Sequence, residues 1–215
     1  MAGIFENRAD AGRRLGEAVR RSLGDSDAPR ETVVLGLPRG GVPVARLVAD
    51  IIGAPLDVLA VRKLGGPRHP EFAVGAIAEG GVRLVDDDAV RHTHLPASDL
   101  ERVEAAARVD LARLLSLYRG GRPARAIAGR RAIIVDDGVA TGATAIVACR
   151  AARLLGAGEI VLAVPVAPLG WERKLADEAD AFVVVSTPRD LWAVGRWYVD
   201  FAQTSDDEVI AALDR

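Results

Sequence analysis

Short apolar runs alternate along this chain with longer stretches in which apolar residues recur every third or fourth position. The runs 32–37 (TVVLGL), 56–61, 132–135, 159–166 and 181–186 read as buried strands, mostly apolar rather than alternating on every second residue. Helical spacing marks 8–23, where Leu15, Val19 and Leu23 share a side, and 98–118, the longest such segment, which Gly120-Gly121 ends. Further helices are expected over 43–52, opened by Pro43 and stopped at Gly53, over 144–155, closed by Gly156, and over 170–178. A last short helix begins at Ser205, which has capping-box spacing to Glu208. Segments 73–78 and 82–85 flank Glu79-Gly80-Gly81 and predict a β-hairpin, while the Gly/Pro-rich segment 64–71 before them reads as mobile. Strand–helix alternation predicts the α/β class: a mostly parallel sheet with helices on both faces, here as a single domain over 1–215.

Composition narrows the possibilities. Aromatic residues are only 4% of the chain while half of it is apolar, which suits parallel strands packed by aliphatic side chains. A formal net charge of −2 gives no basic surface for nucleic acid. Cys149 is the only cysteine and falls within helical spacing, so it reads as a small core residue. The first residues hold no apolar signal core and no apolar run approaches ~20 residues, so a cytoplasmic protein without membrane contact is expected.

The chemistry concentrates in 131–145, RAIIVDDGVATGATA. A buried strand ends in Asp136 and Asp137, then Gly138, Val139, Ala140, Thr141, Gly142, Ala143 and Thr144 lead into a helix. Open α/β sheets bind ligands beyond the carboxyl ends of their strands. A helix N-terminus there favours an anion, and the glycines let the backbone approach it. Two carboxylates would repel a phosphate in the same cradle, and serve better on a neighbouring sugar diol or a hydrated divalent cation. The stretch therefore points to a phosphorylated sugar. The Walker-A, GxGxxG and GxSxG patterns are all absent.

Residues 133–144 resemble the signature of the type I phosphoribosyltransferases, which bind 5-phosphoribosyl-1-pyrophosphate (PRPP). The resemblance extends over about 32–185 and implies a core sheet over that range, a flexible loop at about 63–85 and a C-terminal hood at about 186–204 that selects the base. It implies that Asp136 and Asp137 serve the ribose hydroxyls and Mg²⁺ (through water), and that the residues from Ala140 to Thr144 hold the 5-phosphate, with Gly138 and Val139 in the same binding loop. Arg39-Gly40-Gly41 falls where the family's pyrophosphate loop belongs. Arg62-Lys63, read as the end of the second strand, resembles the basic pair before the flexible loop of orotate and adenine phosphoribosyltransferases. The implied reaction replaces pyrophosphate by a nitrogenous base with inversion, with Asp136, Asp137, Arg39 and Lys63 in catalytic roles, in a homodimer serving nucleotide salvage. A PRPP-binding regulator without turnover is the alternative.

Some positions limit the resemblance. Ala140 stands where hypoxanthine-guanine enzymes have an aspartate, which argues against that subfamily. Residues 64–81, expected as a lid over the site, have Arg68, His69 and Glu71 but no lysine, and Glu71 and Glu79 read first as solvated loop glutamates and second as groups that could move a proton. Trp192 is the preferred stacking platform for a base, with Trp197, Tyr198 and Phe201 equally readable as packing. His92 and His94 beside Asp86-Asp87-Asp88 lack a third spaced ligand and read as a polar connection.

Overall fold

A computed structural model describes residues 4–24, 31–66 and 69–214, with side chains omitted at 66 and 69–73. Five parallel strands form the central sheet: β1 (Thr32–Gly36), β2 (Leu56–Val58), β6 (Arg131–Val135), β7 (Glu159–Val166) and β8 (Ala181–Ser186), in the order β2-β1-β6-β7-β8. Pairing between β1 and β6 runs in register from Thr32 opposite Arg131 to Gly36 opposite Val135. Successive side chains along the strands serve opposite faces, and both faces are covered. Val34, Ile133, Val135, Val161 and Ala163 pack beneath α1 (Arg8–Leu23) and α2 (Gly41–Ile52). Val33, Leu35, Ile134, Leu162 and Val164 pack beneath α5 (Ala143–Leu154), where Cys149 is fully buried.

Helices α1 and α2 approach closely because Gly12 and Gly16 face α2: a Cβ on Gly12 would lie 2.9 Å from the Val44 carbonyl oxygen. Residues before 32 are thus part of the core, as the burial of Phe5, Leu15 and Val19 also requires.

The second apolar run, expected as one strand over 56–61, is two. Val58 ends β2, and Val61 begins β3 (Val61–Gly66), which pairs antiparallel with β4 (His69–Ala78) in a separate sheet completed by β5 (Arg83–Val85). The cause of the break lies elsewhere in the chain. The Val58 carbonyl accepts a hydrogen bond from the Arg119 guanidinium at 2.9 Å, and buried Leu59 and Ala60 cross between the sheets.

Three further differences concern short segments. Much of 64–71 is strand, with Leu64 fully buried; Arg68 lies outside the described residues, as do the side chains of His69 and Glu71. The helix expected at 170–178 is a 3₁₀ turn over Trp171–Lys174. Buried Trp171, Leu175 and Ala179 mimic a helical stripe, but the amides of Leu175 and Glu178 bond three residues back. The acidic run before the histidines begins an unexpected helix, α3 (Asp87–Thr93), with Asp86 as its side-chain cap. The long helix α4 (Ala97–Arg119) packs Leu100, Val103, Ala107 and Leu111 onto the small sheet, and α6 (Asp206–Leu213) starts with the expected Ser205–Glu208 capping box. No helix among the described residues is long and apolar enough to cross a membrane.

Candidate active site

From β1 the chain runs outward to β2, then returns after the small sheet to β6 on the other side of β1. Strands β1 and β6 therefore flank the point where the strand order reverses, and their following helices lie on opposite faces of the sheet. Such a switch point opens a crevice at the carboxyl ends of the strands. The β1–α2 turn (37–40) and the β6–α5 loop (136–142) both leave from it.

Side-chain absence lets the two loops touch. A Cβ on Gly40 would lie 2.0 Å from Asp137 Oδ2, and one on Gly41 would lie 2.6 Å from the Val135 carbonyl oxygen and 2.8 Å from Asp136 Cα. Both glycines have this requirement from close approach. Gly142, at φ +86°, has a conformational one, because it enters α5 in the left-handed region. The Pro38–Arg39 peptide bond is cis. Gly40→Ala is expected to displace the Asp137 carboxylate and destabilise the fold by about 1–3 kcal/mol; thermal unfolding measures this, and an unchanged melting temperature would show that the turn can move away.

Helices α2 and α5 both begin without a side-chain cap, whereas Asn7, Asp86 and Ser205 cap α1, α3 and α6. The amides of Ala140, Thr141 and Gly142 donate no hydrogen bond to the described residues, and Ala140 and Thr141 are exposed. Open N–H groups at a helix start suit an anion.

The acidic pair is held asymmetrically. Asp136 Oδ1 accepts the Asp137 amide at 2.9 Å. Asp137 Oδ2 accepts Nε and Nη2 of Arg8 at 2.9 and 2.8 Å. Asp136 Oδ2 and Asp137 Oδ1 accept nothing from the described residues. Burial, and then the neighbouring Asp137 carboxylate, pushes Asp136 up to about 8. Burial also raises Asp137, with Arg8 pulling the other way. The Tyr198 hydroxyl donates to the Asp137 carbonyl at 2.6 Å, and burial followed by the Asp137 charge raises its own pKa.

Two of the basic residues, Arg39 and Arg62, meet carboxylates. Arg39 is 3.9 Å from Asp206, which accepts the Tyr118 hydroxyl at 2.7 Å. Burial and then this bond push Tyr118 up to about 12, opposed by the fields of Arg39 and Arg62. Arg62 donates to Asp110 of α4 at 2.6 Å and holds that carboxyl below its usual range. Contrary to the expectation from sequence, neither Arg62 nor Lys63 ends a core strand: both sit in β3, and Lys63 is exposed. Glu79 is committed elsewhere, bound by Arg119 at 2.6 and 3.1 Å. Trp192 points into solvent at 83% exposure, while Tyr198 and Phe201 stack 4.8 Å apart as packing.

Arg8 and Asp206 escaped sequence reasoning, as did the bond from Tyr198 to the Asp137 carbonyl. Arg8 lies 129 residues from Asp137 on a helix with several arginines, so nothing local distinguishes it. Only Tyr198, as an aromatic in the expected hood, gave any signal.

An open parallel sheet with an acidic pair and two uncapped helix starts at its switch point defines an α/β protein with a crevice suited to a polar, anionic ligand. The chain belongs to the phosphoribosyl transferase domain family, whose model matches residues 5–203. It is 51% identical over 212 residues to the Mycobacterium tuberculosis H37Rv protein named "Putative phosphoribosyl transferase Rv0571c", covering 99% of this chain and 47% of that one. The chain thus spans about half the length of the curated relatives it matches. TT1426 from Thermus thermophilus superposes with a TM-score of 0.82 at 43% identity, covering 99% and 98% of the two chains. The AQ2163 protein of Aquifex aeolicus shares the fold, with a TM-score of 0.53 at 12% identity over 89% of this chain and 85% of that one.

Proposed function

We propose that this chain transfers the 5-phosphoribosyl group of PRPP to a nitrogenous base, releasing pyrophosphate, with Mg²⁺ as cofactor. The supporting observation is the contact of the Gly40 turn with Asp137, which brings an arginine-bearing loop close to two carboxylate oxygens that accept nothing from the described residues and to an uncapped helix start. In this reading the amides of Ala140, Thr141 and Gly142, with the Thr141 and Thr144 hydroxyls, bind the 5-phosphate. Asp136 and Asp137 accept the ribose hydroxyls and favour the positive charge that develops on the ring as pyrophosphate departs. Arg39 exchanges its long contact with Asp206 for the leaving group, and Arg62 and Lys63 add positive field from β3.

The donor set suits a hard cation: Asp136 Oδ2 and Asp137 Oδ1 are free carboxylate oxygens. No group of three acidic, histidine or cysteine ligands occurs among the described residues. Mg²⁺ would therefore be held by these two residues, through water, and by ligand oxygens. The chemistry it supplies when bound is neutralisation of charge on the pyrophosphate.

The second reading, a PRPP-binding regulator, has one observation in its favour. Glu79, a candidate for handling the base's proton, is locked by Arg119. Pyrophosphate release from PRPP and Mg²⁺, measured against a panel of purines and pyrimidines, separates the two. At least one acceptor is expected to raise release well above background. PRPP binding without acceptor-dependent release would establish the regulator instead.

A further inference from the structure

We propose that Arg8 is a positioning residue of the ribose site: it holds Asp137 by one oxygen only and so presents the other, beside that of Asp136, to a vicinal diol. The inference rests on the sugar-phosphate reading above and adds a residue that touches neither phosphate nor base.

Both Arg8 bonds to Asp137 end on Oδ2, although a guanidinium facing a carboxylate commonly forks across both oxygens. The third nitrogen explains the offset. Nη1 donates to the Ala202 carbonyl at 2.6 Å, and the guanidinium carbon lies 4.0 Å from the centre of the Phe201 ring. Arg8 is therefore fixed by the C-terminal segment before it meets Asp137. The same segment grips the other end of that residue, since Tyr198 stacks on Phe201 and donates to the Asp137 carbonyl. Asp137 is thus clamped at carbonyl and carboxylate, and Oδ1 is the one oxygen left over.

Each aspartate ends with one oxygen tied down and one open. For Asp136 the tie is the Asp137 amide, and for Asp137 it is the Arg8 guanidinium. With three of its five donors spent on protein and Phe201 against the guanidinium, Arg8 is poorly disposed to bind a phosphate directly. Lysine would keep the charge but lose the planar fork and the stacking.

The test is a calorimetric cycle on the full chain with Mg²⁺, comparing ribose 5-phosphate, 2-deoxyribose 5-phosphate and inorganic pyrophosphate. Wild type is expected to prefer ribose 5-phosphate over the deoxy sugar by about tenfold. Arg8→Met should erase most of that preference while pyrophosphate affinity stays within about twofold, with Arg8→Lys intermediate. Phe201→Leu, which leaves every polar group in place, should reproduce part of the effect and covers the case in which Arg8→Met fails to fold. A full ribose preference retained in the folded variants overturns the positioning role while leaving the sugar-phosphate reading intact, as does an equal loss for ribose 5-phosphate and pyrophosphate. If wild type binds none of the three ligands, the sugar-phosphate reading falls and this inference falls with it.

Discussion

With Asp136 replaced by asparagine, the ligand-free protein is expected to melt several degrees above wild type at pH 8 while losing at least about tenfold in PRPP affinity. Asp136 is crowded by burial and by Asp137, so the folded chain keeps its proton up to about pH 8, whereas the unfolded chain releases it near the ordinary carboxylate value. The folded state therefore binds more protons between these limits, and wild-type stability falls as pH rises through that window. Asparagine removes the charge and keeps the acceptor for the Asp137 amide. Its advantage should be small at pH 5 and reach about 1–3 kcal/mol by pH 8, each kcal/mol being worth ~2–4 °C in a chain of this size. Melting curves at several pH values check the sign. A variant that is less stable at pH 8 would show that the pair is not under electrostatic load. The opposed outcomes, more stable and less competent, are what a carboxylate held for a ligand should give.

The largest loss of stability is expected at Arg119. This side chain is 10% exposed and bonds Asp57, Glu79 and the Val58 carbonyl, tying α4 to β2 and to the end of β4. Burial works against its charge, but the hydrogen bonds it donates to Glu79 and Asp57 raise its pKa. Asp57 also accepts the amides of Val58 and Arg125. Arg119→Met leaves two carboxylates beside each other with no cation, at a cost of about 3–5 kcal/mol and a fall in Tm on the order of 10 °C. A control identifies the cause: adding Asp57→Asn with Glu79→Gln should restore part of the deficit. A deficit that ignores this change would mean that lost packing, not unpaired charge, dominates.

These two positions differ in how far the sequence exposes them. Asp136 sits inside a contiguous pattern of strand, acids, glycine loop and helix, and each part has a local cause visible in the residues. The same holds for β7 and β8, apolar runs whose bounds match the expected strands, and for α6 with its capping box. Arg119 ends a helix among other arginines and gives no such sign; its partners lie 62 and 40 residues away. Run 56–61 shows the same limit. Its composition is that of one strand, and the break at Val58 comes from a guanidinium supplied by another part of the chain.

The sequence by itself determined the α/β alternation, the position of the acidic pair and the glycines that let the turns approach, because strand burial, helix capping and backbone freedom are properties of neighbouring residues. Tertiary structure alone decided which charges meet. It gave Asp137 to Arg8, Glu79 to Arg119 and Asp206 to Arg39, left Trp192 in solvent, and turned Arg62 toward Asp110. An ion pair needs only that the fold bring two groups within a few ångströms and shield them from water, and sequence spacing does not encode that distance.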